Sequence, residues 1–282
     1  MRGLRRVGPP TPPALPARAP ELASRPSLPQ RIAARARNLL GKRADKFDDS
    51  QLLDAAPEDR AIVDAVAPYT LTSPQRRYAL IKAVQYLVRR NIPGALVECG
   101  VWRGGSALAI LMTLLREGVR DRDVWLYDTF DGMTAPTARD RSPFDAPARQ
   151  TWDAAREAGS KPWHHLFKPD VFNLDKVRAL LESTGYPPAH LHFVVGAVEQ
   201  TLPAQAPERA ALLRLDTDWY ESTRQELDHL YPRLSSGGVL IVDDYGHWQG
   251  CREAVDEYFS APGREPILLN RIDYTARVAL KP

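Results

Sequence analysis

Five short apolar runs recur along this chain, separated by stretches with helical periodicity. They occupy residues 95–100 (ALVECG), 124–130 (VWLYDTF), 191–196 (LHFVVG), 211–216 (ALLRLD) and 238–244 (GVLIVDD). Each is short and mostly apolar rather than alternating, the pattern of strands covered on both faces. Between the runs, Ser73 and Pro74 open a helix, serine as N-cap and proline in the first turn. That helix runs to about Arg90, where Asn91, Pro93 and Gly94 stop it. Further helices are expected after Gly104-Gly105-Ser106, near 146–158, over 174–184, over 221–231 and over 249–259. Strand–helix alternation of this kind builds an α/β fold with a parallel sheet. Residues 266–272 and 276–281 read as two more strands with no helix between them, hence an antiparallel hairpin at one edge.

The 282 residues suffice for one large domain. Residues 1–30 hold eight prolines, and residues 1–46 hold eleven Lys/Arg against two acids. We expect a disordered basic leader over 1–50, with at most a short helix at 31–46, and a folded domain over 51–282. The net of +9 over residues 1–46 leaves −6 on residues 47–282, for a total of +3. The folded part therefore offers no basic, aromatic-interleaved surface for nucleic acid. No apolar run approaches the roughly 18 residues of a membrane span, and the N-terminus has no apolar signal core. Cys99 and Cys251 form no Cys-x-x-Cys pair; a reducing cytoplasm is the expected setting.

In an open parallel sheet, ligands bind at the carboxyl ends of the strands. Four runs end in acids there: Glu98, Asp128, Asp216 and the pair Asp243-Asp244. Glu98 is followed by Cys99, Gly100, Val101, Trp102, Arg103, Gly104, Gly105 and Ser106. Glycines after the first strand allow a tight turn and a close ligand approach. Asp128, at the end of the second strand, stands where a nucleoside's ribose hydroxyls would lie. Together they point to an adenosine-containing ligand.

Asp216, Asp218, Asp243 and Asp244 form a second acidic set at two strand ends. Hard oxygen ligands suit Mg2+ or Mn2+. Such an ion lowers the pKa of a substrate hydroxyl and orients it. Asp216 or Asp218 is then the candidate base, with His247 a weaker one. His164 and His165, in the long irregular segment 132–170, are candidate pocket residues. His190, His192 and His229 read as ordinary surface or packing residues. No H-E-x-x-H or G-x-S-x-G motif is present.

Several strings, in order, resemble the macrocin O-methyltransferase (TylF/MycF-like) family. They are Tyr69-Thr-Leu-Thr-Ser-Pro74, Val97-Glu-Cys-Gly-Val-Trp-Arg-Gly-Gly-Ser106, Tyr127-Asp-Thr-Phe-Asp-Gly-Met133, Leu215-Asp-Thr-Asp-Trp-Tyr-Glu-Ser-Thr223 and Val242-Asp-Asp-Tyr-Gly246. The resemblance covers about residues 60–282. It implies the Rossmann-like class I methyltransferase fold, seven strands with the hairpin last, S-adenosylmethionine and Mg2+ as cofactors, and a sugar hydroxyl as acceptor. Carried over by position, Glu98, Cys99, Gly100, Val101, Trp102 and Ser106 surround the methionine part. Asp128, Thr129, Phe130, Asp131 and Gly132 hold the ribose. Thr70 and Leu71 close over the cofactor, and Gly196, Ala197 and Val198 lie along the adenine. Asp216, Asp243 and Asp244 are the metal ligands, with Asp216 also the base.

Two other readings compete. Asp216-Thr217-Asp218 is a D-x-D triplet, which would hold a metal and a nucleotide sugar in a glycosyltransferase. A methyltransferase-fold module without catalysis is the other, though a buried carboxylate cluster is costly to keep without use. An exposed first helix and the leader leave room for a homo-oligomer. Residues 132–170 are the expected acceptor wall, since long segments in compact domains usually carry function.

Overall fold

The computed structural model describes residues 52–282. The leader and the helix expected at 31–46 lie outside the described residues. The described strands are β1 Ala95–Cys99, β2 Val124–Asp128, β3 Leu191–Val195, β4 Ala210–Leu215, β5 Leu234–Val242, β6 Asn270–Arg271 and β7 Arg277–Leu280. They form one sheet in the order β3-β2-β1-β4-β5-β7-β6. The first five are parallel, and β7 runs antiparallel to both β5 and β6. The expected α/β fold with its antiparallel edge hairpin is therefore observed.

The helices longer than one turn are α1 Pro57–Val66, α2 Pro74–Arg89, α3 Gly105–Arg116, α4 Ala148–Glu157, α5 Leu174–Glu182, α7 Tyr220–His229 and α8 Gln249–Ser260; α6 is a single turn, Val198–Thr201. No described helix is long and apolar enough to cross a membrane. One sheet face packs on α1, α2 and α3 through Ile62, Val66, Ile81, Val84, Leu87, Ile110, Leu111 and Leu114. The other packs on α7 and α8 through Leu227, Leu230, Val255 and Tyr258. Each fully buried Leu or Ile contributes about 1.5–3 kcal/mol of transfer free energy, so the two covers hold the sheet ends in a fixed register.

Three expectations need correction. The Ser73 helix is mostly buried rather than exposed: α2 packs Leu80, Ile81, Val84 and Leu87 into the core. The fifth strand, expected to begin at 238, begins at Leu234 instead, and the glycines at 237–238 make a bulge inside it. Ala210 pairs with Leu234 while Leu212 already pairs with Val239, and Gly237 takes φ +74°. The 266–272 strand shrinks to Asn270–Arg271, because an edge segment has only β7 to bond. The helix start at Ser73 is as expected, its Oγ accepting from the Arg76 N–H at 3.2 Å.

Candidate active site

The sheet order reverses between β1 and β4, which creates the crevice where such folds take ligands. The hydrogen-bond ladder continues one residue beyond the strand ends. Gly100 N–H donates to Tyr127 O (2.8 Å), Gly196 to Asp128 O (3.0 Å), Asp216 to Cys99 O (2.9 Å) and Asp243 to Leu215 O (2.9 Å). The loops after all five parallel strands are thereby brought to one rim.

Glycine is required at two points of this rim. Gly100 has φ +85°, and a Cβ there would lie 1.9 Å from Asp216 O. The first loop and the aspartate motif are thus in main-chain contact across the crevice. A Cβ on Gly105 would lie 2.6 Å from Thr70 Cβ and from Tyr69 O, so the Thr70–Leu71 turn lies on the start of α3. Leu71 is exposed there. Gly104 N-caps α3 in the left-handed conformation and supplies no side-chain cap. The first-turn amides near Ser106 therefore remain suited to an anionic group.

Asp128 holds two loops together. Its Oδ2 accepts from the Val101 and Trp102 amides, both at 2.8 Å, and its Oδ1 from the Phe130 amide at 2.7 Å. Burial pushes this carboxyl up while the three amides oppose it. Thr129 Oγ1 accepts from the Asp131 and Gly132 amides and donates to Gly132 O, so the turn after β2 is closed on itself. Asp131 is exposed and pairs with Lys161. Phe130 packs against Phe172 and Phe193. Cys99 and Val198 send their side chains into the α7/α8 core, on the face of β1 opposite Glu98. Only their main chain borders the rim. Ala197 caps the turn that Val198 begins.

On the other side of the crevice, oxygens of Asp216, Asp243 and Asp244 lie within 4.8 Å of one another. Asp218 lies outside that trio but close enough to raise the Asp244 and Asp216 carboxyls. Its backbone takes φ +68°, and its Oδ1 accepts from Trp248 Nε1 at 2.8 Å. Of the D-x-D triplet, Asp216 belongs to the trio, which Asp243 and Asp244 complete. Burial raises Asp218 to about 7 and pushes Asp216 and Asp244 well up. Asp243 is buried too, but Arg76 and Arg214 hold it below the usual range.

A divalent cation fits these residues. Asp244 Oδ2 is buried with no hydrogen-bond partner. Its carboxyl is raised first by burial and then by Asp218, Asp216 and Asp243, the signature of uncompensated negative charge. All the donors are hard oxygens. His247 is placed differently: its Nε2 lies 2.7 Å from Asp145 Oδ2 and its Nδ1 3.2 Å from the Tyr274 hydroxyl. His164 and His165 are exposed on the long segment. His190 and His192 both bond Asp123 at the surface.

Sequence reading missed the cations. Arg214, the penultimate residue of β4, is 2% exposed. It donates to Glu98 Oε1 (2.8 Å), Asp216 Oδ2 (2.7 Å) and Asp243 Oδ1 (2.7 Å). Arg76 pairs with Asp243 and, at 3.1 Å, with Asp273 of the β6–β7 turn. An arginine inside an apolar parallel strand was the available signal, because such a charge must find buried partners. Also missed was Asp140, buried in the long segment, whose Oδ1 accepts from the Tyr220 amide at the start of α7 (2.7 Å). Trp102 Nε1 to Leu166 O and Trp219 Nε1 to Thr134 O, both 3.0 Å, tie the same segment to the two halves of the rim.

Comparison with known proteins agrees with this architecture. Residues 31–279 match the family model described as macrocin-O-methyltransferase (TylF). The chain is 36% identical over 190 residues to the 8-demethyl-8-(2,3-dimethoxy-alpha-L-rhamnosyl)-tetracenomycin-C 4'-O-methyltransferase of Streptomyces olivaceus, covering 67% of each chain. It is equally 36% identical over 190 residues to the mycinamicin III 3''-O-methyltransferase of Micromonospora griseorubida, covering 67% of this chain and 70% of that one. Among solved structures, the O-methyltransferase NovP superposes with a TM-score of 0.61 at 31% identity, covering 76% of this chain and 82% of NovP. The calicheamicin methyltransferase CalS11, at 17% identity and a TM-score of 0.54 over 80% of this chain and 93% of its own, shares the fold. The chain belongs to the macrocin O-methyltransferase (TylF) family and is an O-methyltransferase with the class I methyltransferase fold.

Proposed function

We propose that this enzyme transfers the methyl group of S-adenosylmethionine to a hydroxyl of a sugar on a natural product, with Mg2+ at Asp216, Asp243 and Asp244. One observation carries the reading. Arg214 bridges the glycine-loop acid Glu98 to the acids Asp216 and Asp243, so the two candidate sites share one wall. The relatives named above for methylating sugar-bearing products support the acceptor class.

The cofactor supplies an electrophilic methyl group. The residues around it do the rest. The uncapped start of α3 near Ser106 receives the methionine carboxylate. Glu98 and the main chain of Gly100, Val101 and Trp102 line the methionine part. The β2 loop from Asp128 to Gly132 faces the ribose, and Gly196 and Ala197 flank the adenine. Thr70 and Leu71 close the near side and keep out water. A divalent ion, when bound, orients the acceptor hydroxyl and lowers its pKa. Asp216 takes the proton: its side chain keeps 25% exposure, whereas Asp243 keeps 3%. Asp218, whose Oδ1 accepts from Trp248 and whose carboxyl burial raises to about 7, is the alternative base.

Thermal stabilisation tests the reading. S-adenosylhomocysteine should raise Tm, and Mg2+ should raise it further, while UDP-glucose does nothing. Stabilisation by UDP-glucose alone would overturn methyl transfer in favour of glycosyl transfer. Stabilisation by S-adenosylhomocysteine with no response to Mg2+ would overturn the metal assignment.

A further inference from the structure

Beside the acidic triad, three segments far apart in sequence bring aromatic rings together. Phe144 comes from the long segment, His247 from the β5–α8 loop and Tyr274 from the β6–β7 turn. The Phe144 ring stacks on His247 with centroids 5.7 Å apart and meets Tyr274 edge-on at 5.8 Å. His247 and Tyr274 are 6.0 Å apart. Yet Phe144 remains 62% exposed and Tyr274 41%.

The rings are fixed to the metal ligands through the main chain. His247 N–H donates to Asp244 O at 2.9 Å, Gly246 N–H to Thr275 O at 2.7 Å, and Thr275 Oγ1 to Asp243 O at 2.7 Å. Phe144 is connected to the Asp244 main chain through the His247 ring it stacks on. Hydroxyl-bonding groups edge the same corner: the Asp145 carboxylate, the His247 imidazole and the Tyr274 hydroxyl. An exposed aromatic face bordered by such groups has the character of a ligand site.

We infer that Phe144, Asp145, His247 and Tyr274 form the subsite that seats the acceptor's sugar ring, an inference that rests on the sugar-hydroxyl reading above. A pyranose has a C–H face and a hydroxyl rim. The face lies on Phe144 and the rim bonds the Asp145 carboxylate and the Tyr274 hydroxyl, which His247 holds in place through its two ring nitrogens. A planar phenol matches less well, because the rings meet at a corner and leave no slot between parallel faces. Asp145 and Phe144 belong to the long segment, so variation in that segment changes which sugar is accepted.

Saturation-transfer NMR on the full chain with S-adenosylhomocysteine and Mg2+ tests the subsite. The probes are methyl α-L-rhamnopyranoside, methyl β-D-glucopyranoside and catechol. At least one glycoside should receive saturation at its ring C–H protons. Phe144→Ala should weaken its binding about tenfold, the effect of one lost aromatic contact. Tyr274→Phe should keep the ring contact and lose part of the polar one. Both variants should keep the wild-type Tm response to S-adenosylhomocysteine and Mg2+. No saturation of either glycoside, or saturation of catechol alone, would overturn the subsite. The Tm response of the same samples separates that failure from failure of the methyltransferase reading. Loss of the S-adenosylhomocysteine response in Phe144→Ala would also overturn it, by assigning the ring to the cofactor side.

Discussion

Arg214 Nη1 lies 2.8 Å from Glu98 Oε1, while the same nitrogen lies 2.7 Å from Asp216 Oδ2. One buried donor thus joins an acid near the end of β1 to an acid of the proposed metal set. Removing it leaves Glu98, Asp216 and Asp243 facing one another without their shared cation. Arg214→Met should cost about 3–5 kcal/mol of stability, the usual result of deleting one partner of a buried ion pair. Urea denaturation measures it. A loss under about 1 kcal/mol would mean that the bridge is not formed in solution.

Asp243→Asn should abolish the Tm response to Mg2+ and leave the response to S-adenosylhomocysteine in place. Asp243 also receives both Arg76 and Arg214, so the variant should in addition be less stable than wild type. Paired thermal scans check both points. A variant that still responds to Mg2+ would remove Asp243 from the ligand set.

Gly100→Ala should be far more damaging than Gly118→Ala. Both glycines have positive φ, +85° and +78°, so both substitutions carry a left-handed backbone penalty of about 1–2 kcal/mol. At Gly118 nothing lies within 4 Å of the new methyl, whereas at Gly100 it would enter the Asp216 main chain. Overpacking adds roughly 1–3 kcal/mol at Gly100 and displaces Asp216. The difference between the two variants in chemical denaturation isolates the steric part. Equal losses would contradict the close approach.

Burial raises the Glu98 carboxyl to about 7 from a usual 4.5, against the pull of Arg214. Between those values the folded chain keeps a proton that the unfolded chain has released. Stability therefore falls as pH rises through this window, by up to about 3 kcal/mol. The penalty is absent below the unfolded value and complete above the folded one. Glu98→Gln removes it, so the variant should gain on the metal-free wild type as pH rises from about 4.5 to about 7. Parallel pH profiles in urea denaturation would show that Glu98 does not titrate there.

The sheet was legible because its evidence is local. Apolar runs ending in Glu98, Asp128, Asp216 and Asp243-Asp244 announce strands and the end at which ligands gather. The Ser73 cap was legible for the same reason. What escaped depends on pairing between distant segments. The bulge at Gly237 exists because β4 and β5 slip in register, which no single strand records. Arg76, Arg214 and Asp140 each also bond a partner 29 to 167 residues away. Asp216 and Asp218 are equivalent in the sequence, and their distant partners, Arg214 and Trp248, distinguish them.

The central claim is that cofactor and metal lie side by side across the Arg214 wall. Mn2+ in place of Mg2+ makes this directly observable. The resonance of S-[methyl-13C]-adenosylmethionine bound to the enzyme should broaden strongly on adding stoichiometric Mn2+, and Asp243→Asn should abolish the broadening. An unchanged methyl resonance in the wild-type complex, at Mn2+ concentrations that saturate the protein, would contradict the account.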